Sequence, residues 1–242
     1  MSIAENVAEV RENIARAARE VGRDPAEVTL VAATKVQTDE TVRAVIAAGV
    51  AVCGENRVQE MTAHLDADAY AGAALHFIGH LQTNKVSKVV GRVDLIESVD
   101  SEHLLRAIDA QAAKLDIVQD VLLEVNIGDE QSKSGADPAA LFSLCALAGE
   151  LPHTRLRGLM AIPPAAGPDG NRKFFREMRQ LYVDIRTKMS DNRKDINCLS
   201  MGMSGDYADA VREGATLVRV GTALFGARPP LAPRQDQIGR NH

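Results

Sequence analysis

The chain alternates between short apolar runs and segments with a helical pattern, and this alternation limits its fold more than any other feature. Eight runs rich in β-branched or aliphatic residues predict strands near 28–34, 50–53, 74–79, 93–97, 118–127, 155–161, 196–200 and 216–220. The segments between them predict helices near 38–48, 55–66, 83–90, 101–115, 137–149, 170–190 and 205–213. Each helix supplies the crossover that parallel strands require, so the sequence predicts an α/β fold with a parallel sheet.

Eight strand–helix units in 242 residues close most economically into a single (β/α)₈ TIM-type barrel. An open doubly wound sheet is the alternative for the same order of elements. Apolar residues at three- and four-residue spacing over 2–21 predict an extra helix before the first strand. We expect the barrel to occupy residues 1–228 and the proline-containing segment 229–242 to form a flexible C-terminal tail.

Composition narrows the class of protein. The net charge of −5 argues against a nucleic-acid partner bound through a broad basic face. No apolar run approaches the roughly 20 residues of a membrane-spanning helix, and the N-terminus has no signal-peptide pattern. The three cysteines lie in apolar stretches and are expected to be reduced core residues. These features predict a cytoplasmic protein.

Residues suited to chemistry follow the ends of several predicted strands. Lys35 ends the first strand, Glu55 and Asn56 follow the second, and His80 follows the third. The segment 201–206 follows the seventh strand, and 219–222 closes the eighth. The carboxyl ends of all the strands meet at one face of a barrel, which is where barrel enzymes have their active sites. We therefore expect these residues to share one rim.

Lys35 is the residue best suited to covalent chemistry. It shares a strand face with Val31 and Ala33, so its amine would emerge beside small apolar neighbours if that face points into the barrel. Desolvation favours the neutral amine, which is the form that condenses with an aldehyde. A solvated lysine at a strand end is the alternative interpretation.

Two loops offer phosphate ligands. Ser204 and Gly205 follow the seventh strand, and Gly221 and Thr222 follow the eighth; barrel phosphate sites are frequently built from these two loops. The alternative is that Ser204 and Thr222 only cap their helices. An amine at one strand end and two phosphate loops together favour pyridoxal 5'-phosphate (PLP), a cofactor that carries an aldehyde and a phosphate.

Arg219 would affect the protonation of the ring nitrogen of such a cofactor. It shares a strand face with Leu217 and Gly221, from which a guanidinium would donate to the ring nitrogen and keep it unprotonated. An unprotonated ring is a weaker electron sink. The alternative is a salt bridge with Asp206 or another carboxylate at the rim.

Other polar residues receive structural interpretations. His76 and His80 would lie roughly 13 Å apart on a strand, too far to share one metal ion, so no metal site is predicted. His76 is expected to be an interior residue with a hydrogen-bond partner, and His80 to face the rim. Glu124 and Asn126 are expected to form a polar layer inside the barrel, and Lys133 to be a solvated charge.

Seven motifs occur in unbroken order along the chain: Thr34-Lys35, 54–60, 76–85, 126–135, 158–160, 201–204 and 219–226. Together they closely resemble the YggS/PROSC family of PLP homeostasis proteins over about residues 3–228. The resemblance implies a single barrel similar to the N-terminal domain of bacterial alanine racemase, with PLP as a Schiff base on Lys35. It also implies contacts with the phosphate from Ser204, Gly221 and Thr222, with the ring nitrogen from Arg219, and with the ring from Asn56 and Met201.

The resemblance also carries an expected function. Members of this family are implicated in keeping free PLP in balance and have no firmly established reaction. We therefore expect intracellular PLP homeostasis with little or no turnover, by a monomer whose candidate partners are PLP-dependent apo-enzymes. No enzyme activity is expected.

Two other functions use the same residues. A PLP-dependent amino-acid racemase or lyase of this fold needs a second, largely β domain, and nothing after the eighth predicted strand is expected to form one. A Schiff-base aldolase acting on a sugar phosphate would use the same lysine and phosphate loops without a coloured cofactor.

Overall fold

Eight parallel strands form a closed barrel in which each strand pairs with the next and β8 returns to β1. The computed structural model describes residues 2–128, 134–164, 170–189 and 195–226. The strands are Thr29–Ala33 (β1), Val52–Glu55 (β2), Ala74–Phe77 (β3), Leu95–Val99 (β4), Gln119–Val125 (β5), Thr154–Ala161 (β6), Cys198–Ser200 (β7) and Leu217–Val220 (β8). Closure confirms the predicted barrel and excludes the open doubly wound sheet. The expected tail at 229–242 and Lys133 lie outside the described residues.

Helices surround the barrel at the predicted places. They are Ile3–Glu20 (α1), Asp39–Ala47 (α2), Val58–Asp66 (α3), Glu102–Lys114 (α4), Leu141–Glu150 (α5), Arg172–Lys188 (α6), Tyr207–Arg212 (α7) and Thr222–Phe225 (α8). The helix predicted at 83–90 is instead a 3₁₀ helix over Thr83–Lys88, a segment containing Thr, Asn and Ser, which favour helices weakly. Among the described helices, none combines the length with the apolar composition that a bilayer-spanning segment needs.

The first helix begins with a capping box and packs outside the barrel. The Ser2 amide donates to Glu5 Oε2 at 2.7 Å, and the Glu5 amide donates to Ser2 Oγ at 3.3 Å. The buried side of the helix contacts α7 and α8, and Asn6 donates to the carbonyl of Leu224 at 2.8 Å. These contacts fix α8, which follows the second predicted phosphate loop.

Strand alternation divides the apolar residues into two layers. A large aliphatic core lies between the sheet and the helices, and a smaller cluster fills the barrel interior: Val31, Val52, Leu95, Leu122, Met160 and Leu217. Val31 pairs in register with Arg219, and Leu217 lies two residues before that arginine. The strand faces that carry Lys35 and Arg219 therefore point into the barrel, as predicted.

The cysteines follow the same division. Cys53 and Cys145 are buried, Cys198 is half-buried, and all three are free thiols. Cys53 and Cys145 lie in the apolar core between sheet and helices, as expected.

Candidate functional site

A cavity of about 300 Å³ opens at the carboxyl ends of the strands. Seven of the nine predicted site residues line it: Lys35, Asn56, Ser204, Gly205, Arg219, Gly221 and Thr222. Ala33, Ile78, Ile162 and Met203 complete the lining and give it a partly apolar wall. The structure therefore brings the predicted amine, the two loops and the guanidinium to one site.

Two predicted site residues lie elsewhere. The side chain of Met201 is fully buried in the core between sheet and helices, because Ser200 takes the inward-facing position at the end of β7. His80 lines a neighbouring cavity, where its Nδ1 lies 3.5 Å from Asp100 Oδ2 and its side chain is 57% exposed. Strand β3 ends at Phe77, so strand alternation no longer directs the side chain of His80.

Lys35 lies in a turn that is held on both sides. The Thr34 amide donates to the carbonyl of Gly54 at 3.0 Å, and the Gln37 amide donates back to the carbonyl of Thr34 at 3.1 Å. The Val36 amide donates to Glu60 Oε2 at 2.8 Å, and Val36 has a left-handed φ of 58°. The turn after β1 therefore fixes the backbone that carries the amine.

A buried carboxylate lies behind this turn, at a residue that the sequence placed after the second strand without giving it a role. Glu55 is fully buried at the end of β2 and accepts hydrogen bonds from Thr34 Oγ1 at 2.7 Å and from the Tyr70 hydroxyl at 3.1 Å. His64 Nε2 lies 3.9 Å away, and its Nδ1 lies 2.5 Å from Asp39 Oδ1. Burial raises the pKa of Glu55 above its ordinary value, although the bonds from Thr34 and Tyr70 oppose the shift.

The raised pKa of Glu55 predicts how a Glu55→Gln variant will respond to pH. A carboxyl whose pKa is higher in the folded than in the unfolded state stabilises the fold below its ordinary pKa, and this contribution is lost as pH rises through the folded value. The free energy of unfolding of the native protein, relative to the variant, should therefore fall from about pH 4 upward to pH 8. Urea unfolding of both proteins across this range measures it; a difference that grows with pH would contradict the assignment.

Asn56 follows Glu55, lines the cavity and has an unsatisfied side-chain oxygen. Its Oδ1 is buried and has no hydrogen-bond partner among the described residues, while its residue lines the cavity. The Asn56 backbone is pressed against Gly79, where a Cβ atom would lie 2.1 Å from the Asn56 carbonyl oxygen. Only glycine at position 79 allows this approach of the two loops.

Ser204 joins the two predicted phosphate loops. Its hydroxyl accepts hydrogen bonds from the Gly221 amide at 3.1 Å and from the Ala223 amide at 3.2 Å. The alternative that Ser204 caps the helix following it in sequence is wrong, because the N-cap of α7 is Asp206 and the Ser204 hydroxyl instead accepts from amides at the start of α8. Two backbone N–H groups converge on one oxygen here, which is the arrangement that binds an anion oxygen.

Asp206 braces its own loop. It accepts from the Met203 amide at 2.7 Å and from Asn171 Nδ2 at 2.7 Å. The predicted salt bridge between Asp206 and Arg219 is therefore not the one that the structure contains.

Arg219 is anchored from below the cavity, inside the barrel. Its guanidinium is nearly fully buried and donates to Ser200 Oγ and, at 2.9 Å, to the carbonyl of Ala161. Its ion-pair partner is Glu97 in β4, whose Oε2 lies 3.8 Å from Arg219 Nη1. Arg219 lines the cavity, so the expected contact with a ring nitrogen stays a prediction. The alternative of a salt bridge with a carboxylate at the rim is wrong, because the partner lies in the barrel interior.

Glu97 has two further partners. His76 Nδ1 lies 2.7 Å from Glu97 Oε1, which confirms His76 as a partnered interior residue, and the Ser200 hydroxyl donates to Glu97 Oε2 at 2.6 Å. Burial opposes the charge of Glu97, but His76, Arg219 and Ser200 together hold its pKa below the ordinary value. We call His76, Glu97, Ser200 and Arg219 the interior polar cluster.

The predicted polar layer on β5 is present for Glu124. This side chain shares the inward face with Leu122, is buried, and accepts from Ser134 Oγ at 2.7 Å. In the described part of the chain, no group of three or more His, Cys, Asp or Glu side chains is arranged to hold a metal ion.

The residues of the cavity fit PLP chemically. The cavity is lined by an amine for the aldehyde, by a loop with converging amides for an anion, by the buried Arg219 and by Asn56, whose amide oxygen has no hydrogen-bond partner among the described residues. Its apolar wall suits an aromatic ring of small size.

The chain is similar to several known proteins. The family described as alanine racemase, N-terminal domain, matches residues 6–229. A pyridoxal phosphate homeostasis protein of Aquifex aeolicus is 41% identical over 229 residues, which cover 94% of this chain and 99% of that protein. The structure of PipY from Synechococcus elongatus with PLP bound is 34% identical with a TM-score of 0.80, covering 93% of this chain and 100% of that chain.

A more distant likeness concerns the fold alone. Alanine racemase of Clostridium difficile is 14% identical with a TM-score of 0.70, and the match covers 94% of this chain but 57% of the racemase. Near-complete coverage at about 40% identity, by contrast, is evidence of family membership. The chain therefore belongs to the YggS/PROSC family of pyridoxal phosphate homeostasis proteins, built on the barrel of the alanine racemase N-terminal domain.

Proposed function

We propose that this protein binds PLP and takes part in PLP homeostasis in the cytoplasm, with little or no catalytic turnover. The observation that carries the proposal is the convergence of Lys35, the two amide-bearing loops and Arg219 on one cavity. The relatives support it, since they are named for PLP homeostasis and one, PipY, has a structure with PLP bound. Residues 1–228 would form the binding domain.

Lys35 would hold the cofactor as a Schiff base through its ε-amine. Ala33 and Ile78 line the same cavity as Lys35, and we infer that these apolar neighbours reduce the solvation of its amine. Poor solvation favours the neutral amine, which is the nucleophile that an aldehyde requires. The anchored backbone on both sides of Lys35 would keep the amine in place.

The two loops would hold the phosphate. Ser204 keeps the amides of Gly221 and Ala223 pointed at one place, so little rearrangement is needed for them to receive an anion. Gly205 and Thr222 line the same part of the cavity and would add an amide and a hydroxyl.

Bound PLP supplies an aldehyde and an electron-accepting ring. Arg219 would limit the capacity of the ring to accept electrons. A guanidinium donates hydrogen bonds and accepts none, so it favours an unprotonated ring nitrogen. An unprotonated ring stabilises carbanions weakly. This supports the low turnover in the proposal.

The tyrosines also support low turnover. A racemase needs a base on the far side of its substrate, and none of the three tyrosines is among the residues that line the cavity. All three are buried, with hydroxyls bonded to Glu55, Asn13 and the carbonyl of Ile196. We further propose that the protein acts as a monomer and that PLP-dependent apo-enzymes receive its cofactor.

Borohydride reduction of the PLP-loaded protein tests the proposal. We expect a visible absorption band that bleaches on reduction, with the reduced pyridoxyl group mapped by peptide mass spectrometry to Lys35. A protein that stays colourless with added PLP, or a label on another lysine, would refute it. A colourless protein that forms a reducible adduct with a sugar phosphate would favour the aldolase.

An assay of amino-acid racemisation separates binding from catalysis. Loaded protein incubated with L-alanine and other L-amino acids should produce D-isomers at far below the roughly 1 s⁻¹ that marks the lower end of typical enzymes. Turnover at that rate or above would favour the racemase.

A further inference from the structure

We propose that Glu97 is a positioning residue for the cofactor cavity, acting from inside the barrel by pairing with the Arg219 guanidinium and holding it in a fixed orientation. The proposal rests on the proposed binding of PLP. It concerns a carboxylate that does not line the cavity.

The interior polar cluster spans the barrel. Glu97 lies on β4 and Arg219 on β8, and these strands are on opposite sides of an eight-stranded sheet that closes in sequence order. The Ser200 hydroxyl from β7 accepts from Arg219 and donates to Glu97 Oε2, while His76 from β3 contacts Glu97 Oε1. Two oxygens of one carboxylate thereby tie three other strands together.

Other carboxylates act on Arg219 only from a greater distance. Glu124 and Asp206 contribute to the electrostatic environment of the guanidinium, but their hydrogen bonds go to Ser134, Asn171 and the Met203 amide. Among the described residues, Glu97 is the carboxylate within ion-pair distance of Arg219. Burial lowers the pKa of Arg219, and the charge of Glu97 opposes this most strongly.

A buried ion pair is weak evidence for a purely stabilising role. Apolar residues of similar volume often stabilise a core equally well, whereas removal of one partner leaves an uncompensated charge. Arg219, the partner of Glu97, also lines the cavity. The ion pair therefore fixes the position of a cationic side chain at the cavity. The cluster thus has a use that an apolar core would not have.

The test compares PLP binding by wild-type protein, Glu97→Gln and Glu124→Gln. Glutamine keeps the size of residue 97 but removes its charge; we expect PLP affinity to fall about tenfold or more, and the absorption maximum of bound PLP to shift. Glu124→Gln removes another buried interior carboxylate, and affinity should stay within about twofold. The tenfold loss corresponds to about 1.4 kcal/mol.

A double variant separates positioning from stability. Glu97→Gln with Arg219→Met removes both charges, so thermal stability should recover relative to Glu97→Gln alone while PLP affinity does not. Should Glu97→Gln fail to fold, Ser200→Ala decides instead, because it breaks the hydroxyl bridge without changing charge; we expect a severalfold weaker affinity and a shifted band.

Three results would overturn the role of Glu97: wild-type affinity and spectrum in Glu97→Gln, the same in Ser200→Ala when Glu97→Gln is unfolded, or recovery of affinity in the double variant. Each of them leaves PLP binding by the wild-type protein intact. If the wild-type protein itself takes up no PLP, the proposed function fails together with this inference.

Discussion

Replacing Lys35 with alanine should abolish the covalent hold on PLP. The variant loses the amine in the cavity, so we expect no visible Schiff-base band and no borohydride-trapped label. Residual PLP should wash out on gel filtration, since only noncovalent contacts remain to hold it. The fold should persist, because Lys35 is only half-buried and such substitutions usually change stability by about 0.5 kcal/mol or less.

Two further variants sharpen this test. Lys88→Ala removes an exposed lysine at the end of the 3₁₀ helix and should leave colour and label unchanged. Lys35→Arg keeps a positive charge at the site but not a condensing amine, so it should lose the band as alanine does. Retention of colour by both Lys35 variants would mean that another residue holds the aldehyde.

Replacing Gly79 with alanine should damage both the fold and the site. The new Cβ would lie 2.1 Å from the carbonyl oxygen and 2.6 Å from the Cα of Asn56, and backbone atoms cannot rotate away as side chains do. We expect a loss at or above the upper end of the roughly 1–3 kcal/mol that overpacking costs. At about 2–4 °C per kcal/mol for a chain of this size, the fall in Tm should exceed roughly 5 °C. PLP affinity should also fall, because Asn56 is displaced from the cavity wall.

Gly205→Ala is the matched control for the apo protein. Its Cβ would meet nothing within 4 Å, so Tm should change by no more than the equivalent of about 0.5 kcal/mol. Equal Tm values for the Gly79 and Gly205 variants would show that the contact between Gly79 and Asn56 is not tight in solution.

The barrel and most of the cavity were predictable because they depend on local periodicity. Alternation predicted that Val31, Ala33 and Lys35 share one face. Val31 does lie in the barrel interior, and Ala33 and Lys35 both line the cavity, although Lys35 lies in the turn two residues after β1. Arg219 follows from the same argument on β8. The order of the strands predicted that the other cavity residues lie nearby, since the carboxyl ends of parallel strands share one rim.

The two residues outside the cavity show where that reasoning stops. Met201 was assigned to the ring by family resemblance, yet alternation from the inward Ser200 points its side chain to the outer core. His80 follows a strand that ends three residues earlier, so no periodicity applies to it. Alternation along β7 was sufficient to predict the outward direction of Met201. The position of His80 depends on the path of the loop after β3.

The interior polar cluster was beyond sequence reasoning for a different reason. Glu97 interrupts the apolar run of β4, and a charged residue in a buried strand requires a partner. That partner lies on the opposite wall of the barrel, so its identity depends on which strands face each other after closure. Local pattern carries no information about such contacts.

The complete circle of pairing from β1 to β8 has a consequence for any protein that collects the cofactor. A sheet without a border strand exposes no row of unpaired backbone groups, so a visiting polypeptide cannot dock by extending it. An acceptor enzyme of the kind proposed above would therefore have to bind side chains and loops around the mouth of the barrel. Substitutions in these loops would change which acceptor binds without changing the barrel itself.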